Sequence, residues 1–160
     1  MERFFKYALT ILISTVAAMS FYQVIMRYIL EIPVMGLEET LVYPTLWLYF
    51  LGSVNASRED TQIKANVLDV FIKTDRSKLV VRVIADLMSV VVSSWLTYWA
   101  YDYFRYALRV WKESPTLYIP TFYAECSVFV GMVLMTIFAC IYLVKNFRKL
   151  ISISQAEQGA

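Results

Sequence analysis

The chain of 160 residues contains no histidine. That absence removes histidine-ligated haem b, histidine-containing zinc sites, a Ser-His-Asp triad and a histidine proton relay. Cysteine is nearly missing too: Cys126 and Cys140 are the only two. On one helix they would stand roughly 21 Å apart at 1.5 Å per residue, too far to pair or share a metal, and they read as small hydrophobes. Basic blocks and acidic tails are absent. With a net charge of +2, the chain carries no electrostatic footprint for nucleic acid. No GxxxxGK[ST] phosphate loop occurs, so no ATP chemistry is expected.

What remains is apolar. Hydrophobic residues make up 59% of the chain and charged residues 18%, against about 45–50% and about 25% in soluble domains. Aromatic residues reach 16%, which suits a protein anchored at two lipid–water interfaces. The composition points to an all-α integral membrane protein forming a single membrane domain over residues 1–160.

Four apolar segments are expected to span, at about 5–30, 37–57, 79–111 and 122–144, with a polar tail at 150–160. The first continues to Ile29, past the core length of a signal peptide, and is expected to stay as a membrane helix. Pro33 and Gly36 then break the chain. The second begins with Glu38 and Glu39, where a helix N-terminus favours negative charge. Pro44 is expected to kink it. Gly52, Ser53, Ala56 and Ser57 form a patch suited to close helix contact. The third has no strong breaker before Pro115, about 54 Å of helix, and Arg82 and Asp86 can pair along it. Between the second and third, Ile63, Val67, Val70 and Phe71 recur at helical spacing. The segment 62–73 is too short and charged to span, and is expected to be a short amphipathic helix in the interface plane. A loop helix packed on the protein is the alternative.

Several charged and aromatic residues are candidate contacts. Glu38 and Glu39 are no catalytic pair, because adjacent helix residues point about 100° apart. They can form a solvated first turn, or one can pair with Arg27 or with a basic residue elsewhere. Arg105, Arg109 and Lys112 share one face at the distal end of the third helix. The aromatics between Tyr98 and Trp111 read as an interface belt. Cofactor, metal and catalytic residues are not indicated.

The order of Met26-Arg27-Tyr28-Ile29-Leu30, Leu37-Glu38-Glu39, Trp47 through Gly52 (WLYFLG), Arg58 with Gln62-Ile63-Lys64-Ala65, and Leu117-Tyr118-Ile119-Pro120 resembles the small membrane subunit, of DctQ type, of the tripartite ATP-independent periplasmic (TRAP) transporters. The likeness covers roughly residues 5–148. It departs where Gly36 and Leu37 stand in place of a frequent tryptophan, and Gln62 in place of a frequent histidine.

The resemblance implies a non-enzymatic subunit of the bacterial inner membrane. Its partners would be a large membrane subunit, a periplasmic substrate-binding protein and membrane lipids. It would brace the scaffold of the large subunit, which would hold the ion sites, during sodium-coupled uptake of an organic acid. Arg27, Glu38, Glu39, Gly52 and Arg58 become candidate subunit contacts, and Arg105, Arg109 and Lys112 candidate docking residues for the binding protein. The alternative is a membrane anchor or accessory subunit of a redox or signalling complex.

Orientation follows from charge. With both termini cytoplasmic, eleven of the fifteen Lys and Arg residues lie inside and four outside, as the positive-inside rule requires. A reporter that fluoresces only in the cytoplasm, fused after residue 160, should therefore be bright. One that matures only in the periplasm should be inactive there, and the reverse pattern would invert the topology.

Overall fold

The computed structural model describes residues 2–32, 35–61 and 75–158. They form four helices: α1 (Glu2–Tyr28), α2 (Leu37–Glu59), α3 (Asp75–Val110) and α4 (Phe122–Gln158). The expected amphipathic residues Ile63, Val67, Val70 and Phe71 lie outside the described residues, as does Pro33.

Three of the four helices are long and apolar enough to cross a membrane: Arg3–Tyr28, Arg76–Val110 and Phe122–Ser152. The expectation of four spans is met to that extent. The second helix falls short by composition: its charges sit at its two ends, and Thr40, Tyr43, Pro44, Thr45, Trp47, Tyr49 and Asn55 dilute the apolar stretch between them. Its neighbours compensate: α1 packs on one side of α2 and α4 on the other, while α3 packs on α4. The order across the bundle is thus α1–α2–α4–α3, and α2, whose composition falls short of a membrane span, occupies an inner place.

Two seams hold this order. Between α3 and α4, Thr97, Phe104 and Trp111 recur every seven residues, as do Ala100 and Ala107. Phe122, Phe129 and Thr136 do the same on α4. A seven-residue period keeps a seam facing its partner over many turns. Phe104 stacks on Phe129 at 5.0 Å, and Trp111 on Phe122 at 5.4 Å. The Thr97 and Thr136 hydroxyls lie 2.9 Å apart, bridging the two helices. Ala100 and Ala107 are buried, so the backbones approach closely.

Between α2 and α4 the contact runs through small residues. Ala124 and Ser127 are buried, the latter 1% exposed, and Val54 of α2 is fully enclosed. A Cβ on Gly131 would stand 2.6 Å from Phe50 Cδ1 and 2.8 Å from Phe50 Cβ. The glycine therefore makes room for the ring, much as small residues do in other membrane helix pairs.

The helices run further than the expected spans. Residues 150–158, expected as a polar tail, continue α4, because neither proline nor glycine interrupts them. Outside the seams the surface is apolar: Ile11, Phe21, Val91, Val92, Trp95 and Ile141 are all exposed. A surface of this kind suits lipid or a membrane partner rather than water.

Gly131→Val should force Phe50 aside and cost about 1–3 kcal/mol, the usual range for overpacking. The check is thermal unfolding in detergent, where the midpoint should fall. Adding Phe50→Ala should recover part of the loss. An unchanged midpoint in the single variant would contradict this packing.

Candidate functional site

The site is built by the start of α2 and the α3–α4 turn. Gly36 precedes α2 with φ +86, a left-handed conformation that glycine adopts without a Cβ penalty. A Cβ there would also lie 2.7 Å from Leu117 Cγ, so the α1–α2 turn and the α3–α4 turn sit against each other. The latter is a small hairpin. Glu113 and Pro120 form an isolated antiparallel bridge. Ser114 N–H donates to Ile119 O at 2.9 Å, and Thr121 N–H to Lys112 O at 2.9 Å.

Three side chains of α2, each four residues from the next, hold this hairpin. Glu39 Oε2 accepts from the Ser114 hydroxyl and, at 3.2 Å, from the Thr116 N–H. Its Oε1 accepts from the Thr116 hydroxyl at 2.7 Å. Tyr43 donates its hydroxyl to Ile119 O at 3.2 Å. Trp47 donates its indole N–H to Tyr123 O at 2.9 Å. Positions 39, 43 and 47 lie near one another on a helix face, so the three form a ladder. Each rung meets a backbone or hydroxyl group of the hairpin or of the first turn of α4.

The neighbouring carboxylate faces the other way, as the 100° step requires. Glu38 Oε1 accepts from Gln23 Nε2 at 2.9 Å and lies 3.7 Å from Arg27 Nη1. Gln23 and Arg27 are themselves one turn apart on α1. The Arg27 and Glu38 side chains are 65% and 72% exposed, so this pair contributes about 0–1 kcal/mol. Arg27 and Glu38 also border a cleft of about 390 Å³ that reaches Met35 and Thr116.

The other candidate residues are dispersed. Gly52 has open space where its Cβ would be. Arg58 is at the far end of α2. Its side chain is only 14% exposed, 2.6 Å from Glu59 and over the Phe5 ring at 5.3 Å. Its Nε is buried with no hydrogen-bond partner among the described residues, and its carbonyl accepts from Tyr142 at 2.6 Å. Arg105, Arg109 and Lys112 are exposed beside the α3–α4 hairpin, Arg105 lying 5.9 Å from the Tyr101 ring centre. The aromatic stretch divides. Tyr101, Phe104 and Trp111 make ring contacts with α4, Tyr101 and Trp111 staying partly exposed, whereas Tyr98, Trp99 and Tyr106 are more exposed still.

Sequence reasoning missed Ser114, Thr116, Tyr43, Trp47 and Gln23. The four-residue spacing of Glu39, Tyr43 and Trp47 is a signal that could have found the ladder. Its partners, two turn hydroxyls and backbone groups of the turn and of the α4 start, leave none.

The arrangement is that of a helical membrane component whose polar side chains tie its own elements together. Residues 16–149 match the family model for tripartite ATP-independent periplasmic transporters, DctQ component. The chain belongs to this family, which supplies the small component of TRAP transporters and is not an enzyme family. No curated protein matches the chain.

Glu39→Gln should loosen the α3–α4 hairpin, because losing hydrogen bonds to a charged group costs about 1.5–3 kcal/mol each. Amide exchange across residues 112–121 should accelerate at least tenfold. Glu38→Gln, with its exposed partner, should leave the same amides near wild type. Equal effects of the two changes would refute the division of labour between them.

Proposed function

We propose that this chain is the bracing subunit of its transporter. It would pack against the static scaffold of the large membrane subunit while a periplasmic binding protein delivers an organic acid for sodium-coupled uptake. In this reading α2 crosses the membrane as a fourth span, shielded between α1 and α4, and both termini are cytoplasmic. The observation that carries it is the ladder from Glu39, Tyr43 and Trp47 to the α3–α4 hairpin. It joins two helical hairpins into one stiff unit and uses α2's polar groups for bracing.

The exposed apolar flanks of α1 and α3 offer lipid-compatible surface to a larger partner. Arg27 and Glu38 stand exposed at the turns, where they can take charged groups of the large subunit. Arg105, Arg109 and Lys112, also exposed beside the α3–α4 hairpin, suit acidic groups on the binding protein. Charged rims raise encounter rates more than they raise affinity.

The test is uptake in cells producing this chain with its large subunit and binding protein. Uptake should require a sodium gradient and should vanish without this chain. Glu39→Ala should lower both co-purification with the large subunit and uptake. The triple alanine variant at Arg105, Arg109 and Lys112 should slow association of the binding protein while leaving co-purification intact. Full uptake without this chain would end the bracing role.

A further inference from the structure

At the end of the bundle away from the turns, a cleft of about 450 Å³ opens between α3 and α4. Its walls are mainly apolar: Val92 and Leu96 on α3, Met132, Met135 and Ala139 on α4, with the hydroxyls of Ser89 and Ser93 among them. Its mouth is not. Asp60, Asp86 and Tyr142 line it there. Asp60 closes α2 in a left-handed conformation, φ 55, and its carboxylate meets Arg82 at 2.5 Å. Asp86 accepts from Asn146 Nδ2 at 2.6 Å. Lys145 Nζ lies 5.8 Å from the Tyr142 ring centre. Carboxylates and cations therefore share the rim.

The dimensions fit one leaflet. Asp86 and Leu96 are ten residues apart on α3, and Tyr142 and Met132 ten apart on α4. Each interval is about 15 Å of helix, half of a hydrocarbon core about 30 Å thick. The rim charges then fall at headgroup level and the apolar walls at acyl depth.

We propose that this cleft is a binding site for a zwitterionic aminophospholipid, phosphatidylethanolamine, with one acyl chain lying along Val92, Leu96 and Ala139. The ammonium group is taken by the Asp86 and Asp60 carboxylates, and the phosphate by Arg82. An anionic headgroup such as phosphatidylglycerol meets the same arginine but brings no cation to the carboxylates, which keep their bonds to Arg82 and Asn146. The site goes beyond the bracing function and does not depend on it.

The test uses the full chain alone, purified from membranes and reconstituted with an equal mixture of phosphatidylethanolamine and phosphatidylglycerol. Retained lipid is then read by native mass spectrometry. The wild type should retain phosphatidylethanolamine about tenfold over phosphatidylglycerol, within the discrimination one charge-assisted hydrogen bond supplies. Asp86→Asn should bring the ratio near unity. Ala139→Phe, which fills the groove, should remove both lipids while helical content and monodispersity persist. Should Asp86→Asn fail to fold, Arg82→Gln at its more exposed position should lower retention of both. Equal retention of the two lipids by the wild type would overturn the proposal. So would full retention by Ala139→Phe, or an empty groove, as expected if a protein segment occupies it in the cell.

Discussion

A carboxylate at the first turn of α2 accepts hydrogen bonds from a hydroxyl and a peptide N–H on one oxygen and from a second hydroxyl on the other. All the donors belong to a turn about 75 residues away in sequence. These bonds tie the turn joining two long helices to a helix that is not its neighbour in sequence. Glu39 supplies acceptors, and Tyr43 and Trp47 supply donors, from a helix that is already rigid. Once these bonds form, the hairpin of α1 and α2 cannot slide along the hairpin of α3 and α4. The contacts further down, Phe50 at Gly131 and Tyr142 at Arg58, then fall into register.

Bonding of polar groups within the protein also suits the inner place of α2. Polar residues facing lipid are costly, and α2 carries several. Placed between α1 and α4, it spends them on neighbours: Glu38 on Gln23, Glu39 on the hairpin, the Arg58 carbonyl on Tyr142. The outer helices α1 and α3 are left to present apolar surface. A component that works beside a larger membrane subunit benefits from this sorting, since its partner-facing sides need not break any internal bond to make contact.

Much of the architecture was legible. Long apolar runs, with breaks at Gly36 and after Val110, marked the helices, and the 100° step between Glu38 and Glu39 foretold that they would diverge. Packing partners were another matter. Gly52 and Gly131 look alike in sequence, each amid apolar residues, yet only Gly131 meets a ring, because Phe50 happens to point at it. Arg82 and Asp86 have the spacing of a helix ion pair. The left-handed turn at Asp60 offers Arg82 another carboxylate, and Asn146 reaches Asp86 instead. Such choices depend on how separate helices are registered, which local periodicity does not encode. The heptad spacing of Thr97, Phe104 and Trp111 against Phe122, Phe129 and Thr136 is the exception, a long-range seam written in both partners.

The helices differ in length, and the ladder decides where the difference goes. Because Gly36 lies against Leu117, the two turns are level. At the opposite end Tyr142 is level with Arg58, one residue before α2 stops. The sixteen residues from 143 to 158 therefore run past α2, roughly 24 Å of helix. They do not run alone: Asn146 bonds Asp86, and the register of the α3–α4 seam carries the first residues of α3 alongside them. The bundle is flush at one end and carries a two-helix spar at the other, with Lys145, Arg148 and Lys149 near its root. A neighbour at the flush end meets turns, whereas one at the far end meets a lever continuous with the α3–α4 seam.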